Sequence, residues 1–152
     1  MVDALAYGNN MGAFNERGGL MVRLINKTGA ASVKGVIVEL SSATDFAIME
    51  ATAGGPDPIG VVYEDGIADG DSVWVVYSGP AQVLLKDGTA ATREYWGALS
   101  DDTAGRADFT TAAPSGGTVN ELRTHLEREI GHVMESQSAG TDVLCWCFLH
   151  FN

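Results

Sequence analysis

Between residues 33 and 88 the apolar positions fall in short β-branched runs separated by turn residues, and no stretch keeps the spacing of an amphipathic helix. Val36-Ile37-Val38, Phe46-Ala47-Ile48-Met49 and Ile59 to Tyr63 predict three strands. Val73 to Tyr77 and Ala81 to Leu85 predict two more, with Gly-Asp and Ser-Gly-Pro turns between the runs. Turn signals roughly every 8 to 12 residues predict a sandwich or barrel rather than a sheet with crossover helices.

The C-terminal stretch alternates again from 127 to 135 and closes on "VLCWCFLHF". In a strand, that run turns Cys145, Cys147, Leu149 and Phe151 to one side and Trp146, Phe148 and His150 to the other. A strand apolar on both faces is covered on both, either centrally in the body or at a subunit contact. Trp146 and Phe148 are therefore the candidates for the face that meets a neighbouring element or subunit.

An internal repeat underlies the pattern. Set without gaps, "IGVVYEDGIADGDSVWVVY" (59–77) and "IGHVMESQSAGTDVLCWCF" (130–148) share Ile, Gly, Val, Glu, Ala and Asp at matched positions, and both run strand, glycine-containing connection, strand. Between the copies, "TREYWGALSDDTAGRADFTTAAPSGG" is polar apart from Tyr95, Trp96, Leu99 and Phe109, and predicts an excursion over the surface. Tyr95 and Trp96 are candidates for core or intersubunit packing. Thr118 and Glu121 have the capping-box spacing of a short helix carrying Leu122 and Leu126, ending before 127.

Residues 1–32 show scattered apolar positions and repeated glycines without a sustained period, and predict an extended N-terminal arm ahead of a β-rich domain over 33–152. Tyr7, Met11, Phe14 and Met21 are too apolar for a tail held in water, so the arm docks on its own body or on a neighbour. Asn9, Asn10, Arg17 and Arg23 are the polar and basic contacts beside them. The competing reading makes this segment an edge strand of the domain itself.

Composition narrows the function. A chain of 152 residues with 45% apolar residues suits one compact domain, and nineteen glycines fit many tight turns. No run approaches the roughly 20 apolar residues of a membrane span, and "MVDALAYGNN" lacks the order of a signal peptide, so a soluble protein made in a cytoplasm is expected. The net charge of −11 is uneven: residues 1–34 carry +2 and the remainder −13. So acidic a body repels phosphate backbones, which argues against DNA and RNA as partners.

Candidate chemistry is sparse. Glu64, Asp65, Asp69 and Asp71 lack the order of a calcium loop and predict a solvated hairpin. Asp101-Asp102 and the Glu127/Glu129 pair predict surface charge. No nucleophile elbow surrounds Ser78, and "AGGPDPIG" is not a phosphate loop. His125 and His132, seven apart, fit no zinc-binding helix and predict surface or hairpin histidines. Two thiols cannot supply the four ligands of a structural zinc site, and strand alternation keeps His150 from joining them. The expectation is a chain with no catalytic residues, no metal and no cofactor.

The order of motifs in "VKGVIVELSSATDFAI" and "DPIGVVYEDGIADGDSVWVVYSGPAQVLL", with the closing "AGTDVLCWCFLHFN", resembles the small tailed-phage capsid decoration, or cement, proteins. That resemblance spans about residues 33–152. It implies a β-rich body of the tulip or barrel kind, often a trimer, beside the barrel or sandwich with at most one short helix that the residue pattern predicts. It further implies a place on the outer capsid surface of the virion, where the major capsid protein is the partner. A virion-surface module binding host or glycan, with Tyr95 and Trp96 as a stacking platform, is the alternative. A small β-barrel enzyme is a further rival, resting only on the scattered carboxylates.

Overall fold

A computed structural model describes residues 12–110 and 117–151. The chain is mainly β there, with strands β1 (Ala13–Phe14), β2 (Leu20–Asn26), β3 (Ile37–Leu40), β4 (Ala47–Glu50), β5 (Gly60–Val62), β6 (Ser72–Leu84), β7 (Trp96–Leu99) and β8 (Ala107–Thr110). Helix α1 (Val119–Arg128), β9 (Glu129–Val133) and β10 (Leu144–His150) follow. All ten strands belong to one sheet in the order β1-β2-β4-β3-β5-β6-β10-β9-β7-β8. A further antiparallel pairing of β2 with β6, beside its parallel pairing with β4, closes β2, β4, β3, β5 and β6 into a five-stranded barrel.

The second half repeats that plan. Hairpins β3–β4 and β5–β6 lie in the order β4-β3-β5-β6, and hairpins β7–β8 and β9–β10 in the order β8-β7-β9-β10. The C-terminal half of β6 plays the part that β2 plays in the first barrel. It pairs antiparallel with β10 over Ser78 to Leu84, and Leu85 bridges in parallel to Ala107, as Ile25 does to Ala47. The tips match too: Ser32 N–H donates to Ile67 O at 2.8 Å in the first half, and Ala91 and Gln137 exchange backbone bonds of 2.9 and 2.8 Å in the second. The 59–77/130–148 sequence repeat is thus the best-preserved part of a duplicated ring of strands.

β6 is one strand where two were expected on either side of a Ser-Gly-Pro turn. Gly79, at φ +82°, bends the strand without ending it. Pro80 has no N–H to give the ladder, and its carbonyl accepts from Asn15 Nδ2 at 2.6 Å. The bend hands β6 over from β2 and β5 to β10, so the same strand serves both barrels. Buried side chains divide between two cores, the second of which also takes Met21, Ile37, Val61 and Val76 from strands of the first barrel. Val38, Ile48, Val62, Val73 and Val75 fill one, and Val83, Leu85, Leu99, Ile130, Cys145, Cys147 and Leu149 lie in the other. Each fully buried aliphatic side chain contributes roughly 1.5–3 kcal/mol.

Two other expectations are corrected. Residues 92–117 are not merely a surface excursion, because β7 and β8 form a hairpin that buries Leu99 and Ala107 at 2% and 0% exposure. The arm does not extend to residue 32, since β2 is a strand of the closed barrel and Met21 is in the core. Residues 20–26 belong to the domain itself, as the competing reading has it, but not at an edge, because β2 pairs with β4 on one side and β6 on the other. Helix α1 has its capping box, with Thr118 N–H donating to Glu121 Oε2 at 2.9 Å, and continues to Arg128, slightly past the expected end.

Candidate functional site

The outer face of the second barrel is built by strand register. β10 turns Cys145, Cys147 and Leu149 inward, all at 0% exposure, and leaves Trp146, Phe148 and His150 outside. Pairing then aligns Pro80, Phe148, His132, Trp96 and Thr110 in one row across β6, β10, β9, β7 and β8. A neighbouring row runs from His150 through Ser78 and Leu20 to Phe14 on β1. Cross-strand partners share a face, so the two rows form one surface that spans both barrels.

A β-bulge places the acid in this surface. Gly97 pairs with Gly131 but Ala98 pairs with Glu129, leaving Ile130 as the extra residue of β9. Trp96 and Ala98 are two apart on β7 and share a face, so their partners His132 and Glu129 share one as well. Without the bulge, residues three apart would point oppositely. Glycine is required at the bulge: Gly131 has φ +142°, and a Cβ there would lie 2.0 Å from the carbonyl oxygen of Phe148. Gly60, its counterpart in the repeat, packs likewise, with a Cβ position 2.8 Å from the oxygen of Val76.

Glu129, His132 and His150 meet at this point. His150 Nε2 lies 3.6 Å from Glu129 Oε1, and the two imidazole centroids are 4.8 Å apart. Trp96 meets His132 edge-on at 4.5 Å. Glu129 is buried, which corrects its expected place on the surface, whereas both histidines are half-buried. His132 is therefore not an isolated hairpin histidine. Glu127, expected to pair with Glu129 as surface charge, instead pairs with Arg123 along the helix.

The other candidates are dispersed. Tyr7, Asn9, Asn10 and Met11 lie outside the described residues. Phe14 is 69% exposed. Arg17 stacks over the Trp146 ring at 4.6 Å, so the hairpin carrying it covers part of the outer face. Arg23 lies over Trp74 at 5.4 Å and its guanidinium donates to Ser72 O, turning it onto the barrel itself. Tyr95 packs against the second core while Trp96 faces out beside His132, so the two rings make no common platform. Phe148, at 49% exposure, is not covered by a neighbouring element among the described residues, which leaves the subunit contact of the two expected ways of covering this face.

The thiols and the acidic tip serve structure. Contact with the Cys145 side chain, then burial, pushes the Cys147 thiol well up, away from a reactive thiolate. At the tip, Asp65 Oδ1 accepts from Lys34 N–H at 2.7 Å, Asp69 Oδ1 from Gly29 N–H at 2.9 Å and Glu64 Oε2 from Trp74 N–H at 3.1 Å. Asp65 and Asp69 hold the hairpin to the loop beside it, and Glu64 ties the two arms of the hairpin together. Compared with known proteins, the chain matches no family model and no curated protein.

Proposed function

We propose that the chain is a structural virion protein, a decoration protein that seats on the outside of a tailed-phage head across joins between major capsid subunits and stabilises the shell. The observation carrying this reading is the outer surface on which register aligns Phe14, Phe148 and Trp96 across both barrels, with Phe14 and Phe148 69% and 49% exposed. Aromatic anchors beside a basic side chain such as Arg17 are the usual high-energy elements of a protein interface. Held on paired strands, they lose little conformational entropy on docking. The resemblance of residues 33–152 to decoration proteins supports the same reading.

The net charge of −11 keeps separate copies soluble before they bind. Assembly as a trimer lets three modest contacts act together, and a ligand that binds only the assembled shell favours that shell by mass action. The glycan-binding alternative has less support, because Tyr95 and Trp96 face opposite ways.

Co-sedimentation with purified capsid shells tests the proposal. The intact chain is expected to pellet with shells at saturable occupancy. A chain lacking residues 1–11, and separately the F14A/F148A variant, should keep the β-rich circular dichroism spectrum and bind at least about ten-fold more weakly. Normal occupancy by both variants would remove this face and the segment before it as the anchor.

A further inference from the structure

We propose that Glu129, His132 and His150 form a binding site for a divalent transition metal, Zn(II) foremost, that staples β9 to β10 on the outer face of the second barrel. Two imidazoles and a carboxylate are a zinc donor set, with a fourth position left for water or for a group from outside. All three donor atoms lie within 4.8 Å of one another, and the His150 to Glu129 separation is already 3.6 Å. Bonds of about 2.0–2.1 Å to one tetrahedral ion put donors roughly 3.4 Å apart. Closing the remaining gap takes rotation of the imidazoles, and the His150 side chain is 38% exposed and has room to turn.

The backbone supports this assignment independently of the distances. The Ile130 bulge, enforced by Gly131, is what brings Glu129 round to the side of His132, and bulges commonly re-aim side chains in this way next to functional sites. The pairing of Phe148 with His132 fixes β10 against β9, and the edge of Trp96 limits the His132 ring. Glu129, with a side-chain exposure of 6%, sets a buried carboxylate beside the two half-buried imidazoles. Cys145 and Cys147 point into the core on the opposite face, so this would be a nitrogen and oxygen site without sulfur.

Isothermal titration of the metal-stripped full chain with Zn(II) alone provides the test, alongside H132A, H150A and, as a control on the exposed helix, H125A. The expected result is one ion per chain at micromolar affinity, a raised Tm, and at least about ten-fold weaker binding in H132A and H150A but not in H125A. Cobalt(II) at the same site should give visible ligand-field bands without the near-ultraviolet thiolate band. Absence of binding at a hundred-fold higher zinc concentration would overturn the proposal. So would undiminished binding by H150A, whose substitution lies on the outer face, or a thiolate band in the cobalt spectrum. All of these readouts use the isolated protein, so they stand or fall independently of capsid binding.

Discussion

Gly131 and the two thiols behave in opposite ways when read from sequence alone. Strand alternation in "VLCWCFLHF" correctly sends Cys145 and Cys147 into the core, since a regular strand keeps its period. We expect both to resist a thiol-reactive disulfide reagent in the native protein and to react only on unfolding; prompt labelling of either in native buffer would contradict this burial. Glu129 and His132 are three apart, and alternation sends them to opposite faces. Only a bulge reverses that, and its sequence mark is a single glycine among nineteen. G131A is expected to cost roughly 2–4 kcal/mol in denaturant unfolding, because a Cβ meets the Phe148 carbonyl. A loss below half a kcal/mol would mean that β9 tolerates the side chain.

Elements are legible where apolar residues run together, even over the three or four residues of β3, β4 and β5, and obscure where glycine or a charged residue interrupts the run. β10 and the helix cap follow from pattern and spacing. By contrast, β7 and β8, of four residues each, are interrupted by Gly97 and Asp108 and gain their strand character from pairing with β9 and each other. In β6, Ser-Gly-Pro looks like a turn because local propensity cannot reveal that Pro80 sits opposite Phe148 on a neighbouring strand. The connection between β7 and β8 is tied down by Asp102, which accepts from Lys86 Nζ at 2.7 Å.

That bond first, then those from Thr103 and Ser100, holds the Asp102 carboxyl down at about 2 from an ordinary 3.8. A folded value below the unfolded one stabilises the native state above the ordinary carboxylate range, and the contribution is lost as pH falls from 3.8 towards 2. D102N should therefore flatten the fall in stability across that window, measured by denaturant titration at stepped pH. An unchanged slope would show that the bond does not distinguish folded from unfolded chain. The Asp102 side chain is exposed, so the effect should be small beside that of G131A.

At the scale of the whole molecule, two rings of strands share β6, and the first ring needs β2 to close. Deleting residues 1–26 should thus abolish cooperative thermal unfolding, whereas deleting 1–11 should leave it; a folded 27–152 fragment would contradict the closed barrel. Only the second hairpin of each ring was visible as a sequence repeat. Strand order can be duplicated by pairings with little sequence in common: the bridges of Ile25 to Ala47 and of Leu85 to Ala107 match in place, yet Ile25 is half-buried and Leu85 fully buried. The surface running across both rings is the basis for the proposed role on a capsid. A cryo-electron microscopy map of the phage particle carrying this chain tests that role most directly. Density for paired barrels is expected on the outer shell, with the face bearing Phe14 and Phe148 against the joins between major capsid subunits; density elsewhere in the virion, or a shell without it, would rule out a decoration role.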